Sequence, residues 1–600
     1  MALPTSDVWL HYVKSEGGGK CRYCQQVVSY TKGSTSNLKR HLSRKHPTVP
    51  LHRNNPPSTT DSELDSPLEC TSAERNVSSP LANYFPSNKA MSAESKKKID
   101  TLLLLMICKE YQPFSVVENE YFARFVKALN PKYVLPTRKS ISNGALPALY
   151  NDTLKVVQTN LLTASTISLT ADCWTSINND SFCAVTAHYI NSKYELCSQL
   201  LDCSEFCKSH TGKNVADLIT NITDSFNITS KLVTLVTDNA SNMLSAATLL
   251  NISHLPCGAH TLNLVVKDAL PKISSTLEKV KNVVMHFKKS SKAANKLSEM
   301  QTSLNHPELK LKQDCPTRWN STYDMLDRIK QNRIPLASCI ATLKIKSKLD
   351  EDDWCIIEQA TKILKLFNTV TVEIMAEKTV TISIMGFLTR SLLQKMKEKR
   401  EKEIFHEKVA ELVDVLIVGL EDRFEATNNL EIVSCGIFLD PRFKKVGFLG
   451  NNAQYQDTYE KIIQKMLPHY NTNSIDRLEE SDNGSDSDED IWQPLKKVRN
   501  TEHSISPSRI LAAIELDRYL SEQNLQVKCD PFIWWKEREV VYPILSTLAK
   551  KYLSIPASSV PCERIFSKAG YILTEKRNRL TSKKLKEMIF VQHNFKNLQL

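Results

Sequence analysis

Glycine is scarce, 14 in 600 residues, where about 7% is usual. Helices tolerate glycine poorly, so this shortage points to a helix-rich chain. Long apolar runs are missing as well. The longest stretch, Leu102–Cys108, falls far short of the ~20 residues that span a bilayer, and no membrane partner is expected. The first residues include Trp9 and His11 but no apolar core of a secretory signal, so none is expected. Sixteen cysteines are scattered along the chain without secretory features, which reads as reduced intracellular thiols. There is no tandem repeat. Neither sign of charge dominates strongly: 78 Lys and Arg against 66 Asp and Glu give +12, which suits a polyanionic partner without requiring one.

The positive charge is unevenly placed. The first fifty residues hold eight Lys/Arg against Asp7 and Glu16, a balance of +6. Within them Cys21, Cys24, His41 and His46 form C-x2-C-x16-H-x4-H. Two thiolates and two imidazoles suit tetrahedral Zn²⁺. The cysteine pair is expected on a knuckle and the histidines at the end of a short helix that starts near Gly33-Ser34, capped by Ser34 or Thr35. Leu38, His41, Leu42 and Lys45 would share its inner face. Asn37, Lys39, Arg40 and Arg44 would be left for double-stranded DNA, where such residues read bases or hold phosphates. A zinc fold that binds protein is the rival reading, and the basic outer face argues against it.

Beyond residue 47 the composition changes repeatedly. Residues 48–95 are a polar linker containing NNPPSTTD, and 96–160 are helical in period, with apolar Leu102–Ile107 and Phe122–Leu129 and a helical stretch Lys139–Leu162. Residues 161–290 begin with three strands, Ile167–Asp172, Phe182–Ile190 and Tyr194–Leu201, followed by a helix Val215–Phe226, a strand Lys231–Thr237 and a helix after Asp238. Three strands in meander, then helix, strand and helix, is the order of a ribonuclease-H-like α/β core. Residues 291–472 are helical, as in Val409–Leu420, where Val409, Leu412, Val413, Leu416, Ile417 and Leu420 share a face. Residues 473–505 are acidic and polar, and 506–600 are helix-rich.

Asp172 closes the first of these strands and Asp238 the fourth. In a ribonuclease-H-like sheet those strand ends lie side by side. Two carboxylates there can share Mg²⁺ or Mn²⁺, which activates a water or a 3′-hydroxyl for in-line phosphoryl displacement. An isolated aspartate at a strand end is ordinarily a turn residue, so either one alone carries little weight.

Two resemblances add to this. Val8 to Tyr12, Lys20 to Cys24, Gly33 to Leu38, Arg40-His41-Leu42 and Lys45-His46-Pro47 resemble the BED zinc finger. That implies zinc-dependent, sequence-specific DNA binding, with Trp9 and Tyr12 as a small aromatic core. The segments DCPTRWNSTYDML (Asp314–Leu326), LDPRFK (Leu439–Lys444), Trp534-Trp535-Lys536 and KKYLSIPASSVPCERIFSKAG (Lys550–Gly570) resemble the hAT transposase superfamily. This resemblance implies a multidomain α+β chain: a BED finger, an RNase H-like core interrupted by a large helical insertion, and a helical C-terminal dimerisation region that completes the core. It implies Asp172, Asp238 and Glu563 as the acids, Cys257 and His260 as a Cys-x2-His motif that helps place DNA, and Trp319 as an aromatic that stacks on an extruded base. Trp319, Trp534 and Trp535 read alone are core aromatics. Leu545, Leu548, Leu553, Ile555, Ile565 and Phe566 would line an interface with a second copy. Cys562 departs from the family, standing where a serine commonly precedes the acid.

The expected function is a dimeric, nuclear, zinc-dependent DNA-binding protein that regulates transcription. The alternative is an active transposase, and a protein-binding scaffold is a third reading. PLKKVR (Pro494–Arg499) is a nuclear import signal or a solvated basic patch, SDSDED (Ser485–Asp490) offers phosphorylatable serines, and Lys576, Arg577, Arg579, Lys583 and Lys584 contact phosphates or form a wet helix face.

Overall fold

A computed structural model describes residues 7–15, 17–29, 35–46, 91–176, 179–343, 348–470, 506–573 and 580–595. PLKKVR, SDSDED, Ser34, Lys576, Arg577 and Arg579 lie outside them. The chain forms two compact units, Met1–Lys89 and Ala90–Leu600.

In the first unit, three short strands, β1 (Tyr12–Ser15), β2 (Gly18–Cys21) and β3 (Val27–Val28), make an antiparallel sheet in that order. A side chain at Gly18 would strike the Val28 carbonyl, 2.5 Å from its Cβ position, so the tight β2–β3 approach needs glycine. The helix Ser36–Lys45 closes over this sheet through Leu38 and Leu42, which bury with Val8, Tyr12 and Cys21 while Trp9 packs at the edge. Thr35 stands at the cap position but makes no side-chain cap bond. Lys45, expected on the inner face, is exposed: with Leu38, Leu42 and the histidines already filling that side, nothing pairs a buried ammonium.

In the second unit, five strands form one sheet in the order β6-β5-β4-β7-β8: β4 (Ile167–Thr175), β5 (Ser181–Ile190), β6 (Leu196–Glu205), β7 (Leu232–Thr237) and β8 (Ser253–Pro256). The first three pair antiparallel, and β7 and β8 join parallel to β4 and β7. Central β4 is buried from Ile167 to Ala171, matching its unbroken run of apolar, Ser and Thr residues. The sequence order is confirmed, and β6 runs Leu196–Glu205 rather than Tyr194–Leu201. Strand β4 runs past Asp172 to Thr175 because β5 keeps pairing with it there. The four-residue β8 is too short to register as a periodic run.

Helices Ala93–Lys109 and Leu146–Thr163 share one core with the sheet and with the helices Val560–Ile572 and Ser582–Asn594. The expected helix Lys139–Leu162 is present from Arg138 to Thr163, with a π turn at Ile141–Ala145 inside it. The helices between Gly258 and Met466 form a second core together with Pro507–Ser521, Pro531–Glu537 and Pro543–Leu553. Glu407–Asn429 buries Val409, Leu412, Val413, Leu416 and Leu420, with Ile417 half-buried.

The LDPRFK and Trp-Trp segments meet here. Asp440 is buried and accepts from Arg442 Nη2 at 2.6 Å and Ser383 Oγ at 2.6 Å. Lys444 Nζ donates to the carbonyls of Tyr519 and Glu522, both at 2.7 Å, capping the helix Pro507–Ser521, and lies 4.5 Å from the Tyr519 ring centre. Trp535 Nε1 donates to Leu439 O at 3.0 Å. Trp534 and Trp535 are core side chains, and burying each stabilises by roughly 2–3 kcal/mol.

A Cys2His2 cluster and a carboxylate cluster

The finger ligands converge. One ligand atom from each of Cys21, Cys24, His41 and His46 lies within 4.8 Å of all the others. The Cys21–Gln26 knuckle is closed by Cys21 N–H to Gln26 O at 2.9 Å and by Gln25 N–H to Cys21 O at 2.9 Å, with Gln25 at φ +60. Cys24 Sγ and His41 Nε2 stand 3.3 Å apart, and His46 Nε2 is buried with no hydrogen-bond partner. A buried, unpartnered imidazole nitrogen in a residue grouped with two thiols suits a metal ligand. Burial first, then His46 and Lys45, lowers the His41 pKa, which favours the neutral ring that binds metal. Tyr12 donates to Leu38 O at 2.9 Å, and burial followed by the Cys21 and Cys24 charges pushes its phenol up to about 12. The donor set fits structural zinc.

Lys39, Arg40 and Arg44 project from the outer face and are exposed. Asn37 is half-buried: it donates to Ser29 O at 3.3 Å and accepts from Arg40 Nη2, so it orients the guanidinium.

The carboxylates are brought together by register. In the parallel pair, Thr170 of β4 sits beside Val236 of β7. Two residues further on come Asp172, within β4, and Asp238, the first residue past the end of β7. The helix Val560–Ile572 packs across β4 and β5 and carries Glu563 in its first turn, where the helix dipole favours an acid. Asp172 is half-buried and accepts from Cys173 N–H at 2.8 Å. Burial, then the Asp238 charge, outweighs that amide, and with a smaller push from Glu563 raises the carboxyl to about 7. Asp172 thus feels the charge of both other acids. The three are less tightly gathered than the finger ligands, which are the one metal-capable group of that closeness among the described residues. Three carboxylates are hard oxygen donors, and such a set fits a divalent ion such as Mg²⁺ or Mn²⁺.

Three sequence-distant segments frame Glu563. Arg318 Nη2 lies 3.9 Å from its carboxylate. The Trp319 amide donates to Asn263 Oδ1 at 3.2 Å, tying the Arg318–Trp319 turn to the helix Gly258–Ala269. Cys257 caps that helix: its buried thiol accepts from His260 N–H at 3.4 Å and from Ser559 N–H at 3.3 Å. Gly258 N–H donates to Ala557 O at 2.8 Å, and a side chain there would strike Met385 Sδ at 2.6 Å.

Several expected roles are relocated. Cys257 faces the interior and fixes the approach to Glu563, so it offers no surface to DNA, while His260 is half-buried beside it. Trp319 is only 2% exposed, so its ring presents no open face for a base here. Leu545, Leu548, Leu553, Ile555, Ile565 and Phe566 are buried within this chain's own cores rather than left for a second copy. Sequence reasoning missed Asn263, Gly258 and Ser559 because they act through contacts that no local spacing encodes.

Comparison with known proteins finds family matches over both regions. Residues 6–47 match the BED zinc finger, 170–262 the ZBED1 RNase-like domain, 255–363 the ZBED1 RNase-like helical domain, and 515–595 the hAT family C-terminal dimerisation region. The chain is 26% identical over 628 residues to zinc finger BED domain-containing protein 4 of Homo sapiens, covering 98% of this chain and 52% of that one. It is 27% identical over 637 residues to a Zea mays protein named after the AC transposase, covering 98% and 75%. It is 23% identical over 636 residues to zinc finger BED domain-containing protein RICESLEEPER 1 of Oryza sativa subsp. japonica, covering 94% and 84%. The chain therefore spans about half the length of the human relative. The BED finger implies DNA binding and the dimerisation region implies oligomerisation, and no helix among the described residues is long and apolar enough to cross a membrane. The chain is a transposase-derived BED zinc finger protein of the hAT superfamily.

Proposed function

We propose that this chain is a nuclear, dimeric regulator of transcription that binds a defined DNA duplex through its zinc-loaded finger. The observation that carries this reading is the Cys21, Cys24, His41 and His46 cluster beneath an exposed Lys39, Arg40 and Arg44 face. A helix presenting cations on one side and zinc ligands on the other positions itself on phosphates and leaves its first turn for base edges. Dimerisation joins two fingers, so a bipartite site is expected. One relative, from Talaromyces stipitatus, is named as a transcriptional regulator, 26% identical over 539 residues. Selecting duplexes from a random pool with the zinc-loaded full chain tests the reading. Enrichment of one motif is expected, and a pool that stays random refutes sequence-specific binding.

A second reading, divalent-metal-dependent transposition, is favoured by the meeting of Asp172, Asp238 and Glu563. These carboxylates would hold Mg²⁺ or Mn²⁺, which supplies an activated water or 3′-hydroxyl for phosphoryl displacement. Asp172 must shed its proton to serve, and Arg318 beside Glu563 adds a cation for a phosphate backbone. Nicking of supercoiled plasmid in Mn²⁺, lost in Asp172→Asn, would promote this reading. Equal background from both proteins would leave the regulator as the better account.

A further inference from the structure

The residue before Glu563 is a cysteine, and its surroundings assign it a task. Cys562 is fully buried. Its sulfur lies 3.2 Å from Thr170 Oγ1 and 3.5 Å from the carbonyls of Thr170 and Ala184, so the thiol reaches both β4 and β5. Thr170 stands two residues before Asp172, on the same face of β4. Its hydroxyl is hydrogen-bonded to that of its cross-strand partner Thr186, which meets His188 Nε2 at 2.8 Å. His188 is buried, and burial lowers its pKa to about 3, so the ring stays neutral and can only accept or donate within this ladder. On the other side, the strap before the helix is held by Ser559 N–H to Cys257 Sγ at 3.3 Å and Ala557 N–H to Thr381 Oγ1 at 2.9 Å.

The first turn carrying Glu563 is therefore pinned by two sulfurs, one on each side. Cys257 fixes where the helix begins. Cys562 fixes its rotation against the sheet, because a side chain adjacent to Glu563 can bury into β4 and β5 only when Glu563 points along the sheet toward the ends of β4 and β7. We propose that Cys562, with the Thr170–Thr186–His188 ladder beneath it, is a positioning residue that sets the register of Glu563 against Asp172 and Asp238. This rests on the reading that the three acids bind a divalent metal. Partners of metal ligands commonly tune affinity by 10–100-fold.

The test uses the zinc-loaded full chain. Mn²⁺ binding is followed by the loss of the free-ion electron paramagnetic signal, with Asp172→Asn as the reference for ions bound elsewhere. Cys562→Ala and the isosteric Thr170→Val should each weaken the Asp172-dependent site about tenfold. Cys562→Ser, which restores a hydrogen-bonding group in the same place, should bind within about threefold of wild type. A rescue of that kind separates positioning from mere filling of space. Amide hydrogen exchange across residues 555–570 is measured alongside. It should quicken about tenfold in Cys562→Ala and return in Cys562→Ser, reporting local opening. If wild type and Asp172→Asn bind Mn²⁺ equally, the metal reading fails and exchange alone decides the positioning claim. Unchanged affinity with unchanged exchange in Cys562→Ala and Thr170→Val overturns the proposal.

Discussion

The finger and the carboxylate cluster solve the same problem, gathering ligands, at opposite ranges. The finger draws its four ligands from Cys21 to His46, across one knuckle and one helix. The acids span Asp172 to Glu563, with the whole helical insertion between them. Short range gives tight convergence and a small core of Val8, Tyr12, Leu38 and Leu42 that cannot be expected to fold without its ion. Long range gives a site whose precision depends on packing: β4–β7 register for the aspartates, and the straps at Cys257 and Cys562 for the glutamate. The first unit is thus held by metal and the second by cores.

This difference can be broken experimentally, and the largest effect should come from the ion. Chelating zinc, or substituting Cys24→Ser, should unfold the finger, since structural zinc supplies on the order of 10 kcal/mol to such a domain. Protection against amide exchange should collapse in residues 7–46 and stay unchanged across 91–470. Loss of protection in both would mean the second unit also needs the ion. The converse is to strike a core joint. Lys444→Met leaves the Tyr519 and Glu522 carbonyls unpaired in a buried place, and should cost about 3 kcal/mol. Thermal denaturation of the second unit would show this, with duplex binding by the finger unaltered.

The acid site should respond to pH in a stated direction. Asp172 titrates near 7 in the folded, metal-free chain, above its unfolded value of 3.8. Its ionisation therefore removes stability as pH rises from about 4 to 7. Asp172→Asn should stabilise the metal-free protein by about 2 kcal/mol at pH 8, half the full linkage value to allow for solvent, and by nothing below pH 4. A gain that is the same at both pH values would show that crowding of the acids is not its source. The smallest effect belongs to a single contact at the finger face. Arg40→Ala should weaken duplex binding by about 1 kcal/mol, seen in a titration at fixed salt, and unchanged affinity would move Arg40 off the interface.

The same contrast of range governs what can be read from the sequence. The zinc ligands are visible from spacing alone, and the strand order from alternating and continuous apolar runs such as KLVTLVT. Asp172 and Asp238 are legible as strand-end acids, but Glu563 joins them only through resemblance, because no local period links a helix to a sheet hundreds of residues away. Trp319 and Cys257 show the limit of carrying roles over from relatives: both motifs are present, yet one ring and one thiol face inward. The leucines and isoleucines of the C-terminal region misled for a related reason. An apolar helical face does not say whether its partner is another chain or the same one, and here it is the same one. Lys45 failed because heptad-like spacing ignores the cost of burying an unpaired charge.

The most direct test of the account is the affinity of the zinc-loaded full chain and its Cys24→Ser variant for a selected duplex, measured by fluorescence anisotropy at fixed salt. The account predicts tight, sequence-dependent binding by the wild type that is lost by at least about a hundredfold in the variant, with the second unit still folded. Equal affinity in the two proteins would contradict it, placing DNA recognition outside the finger.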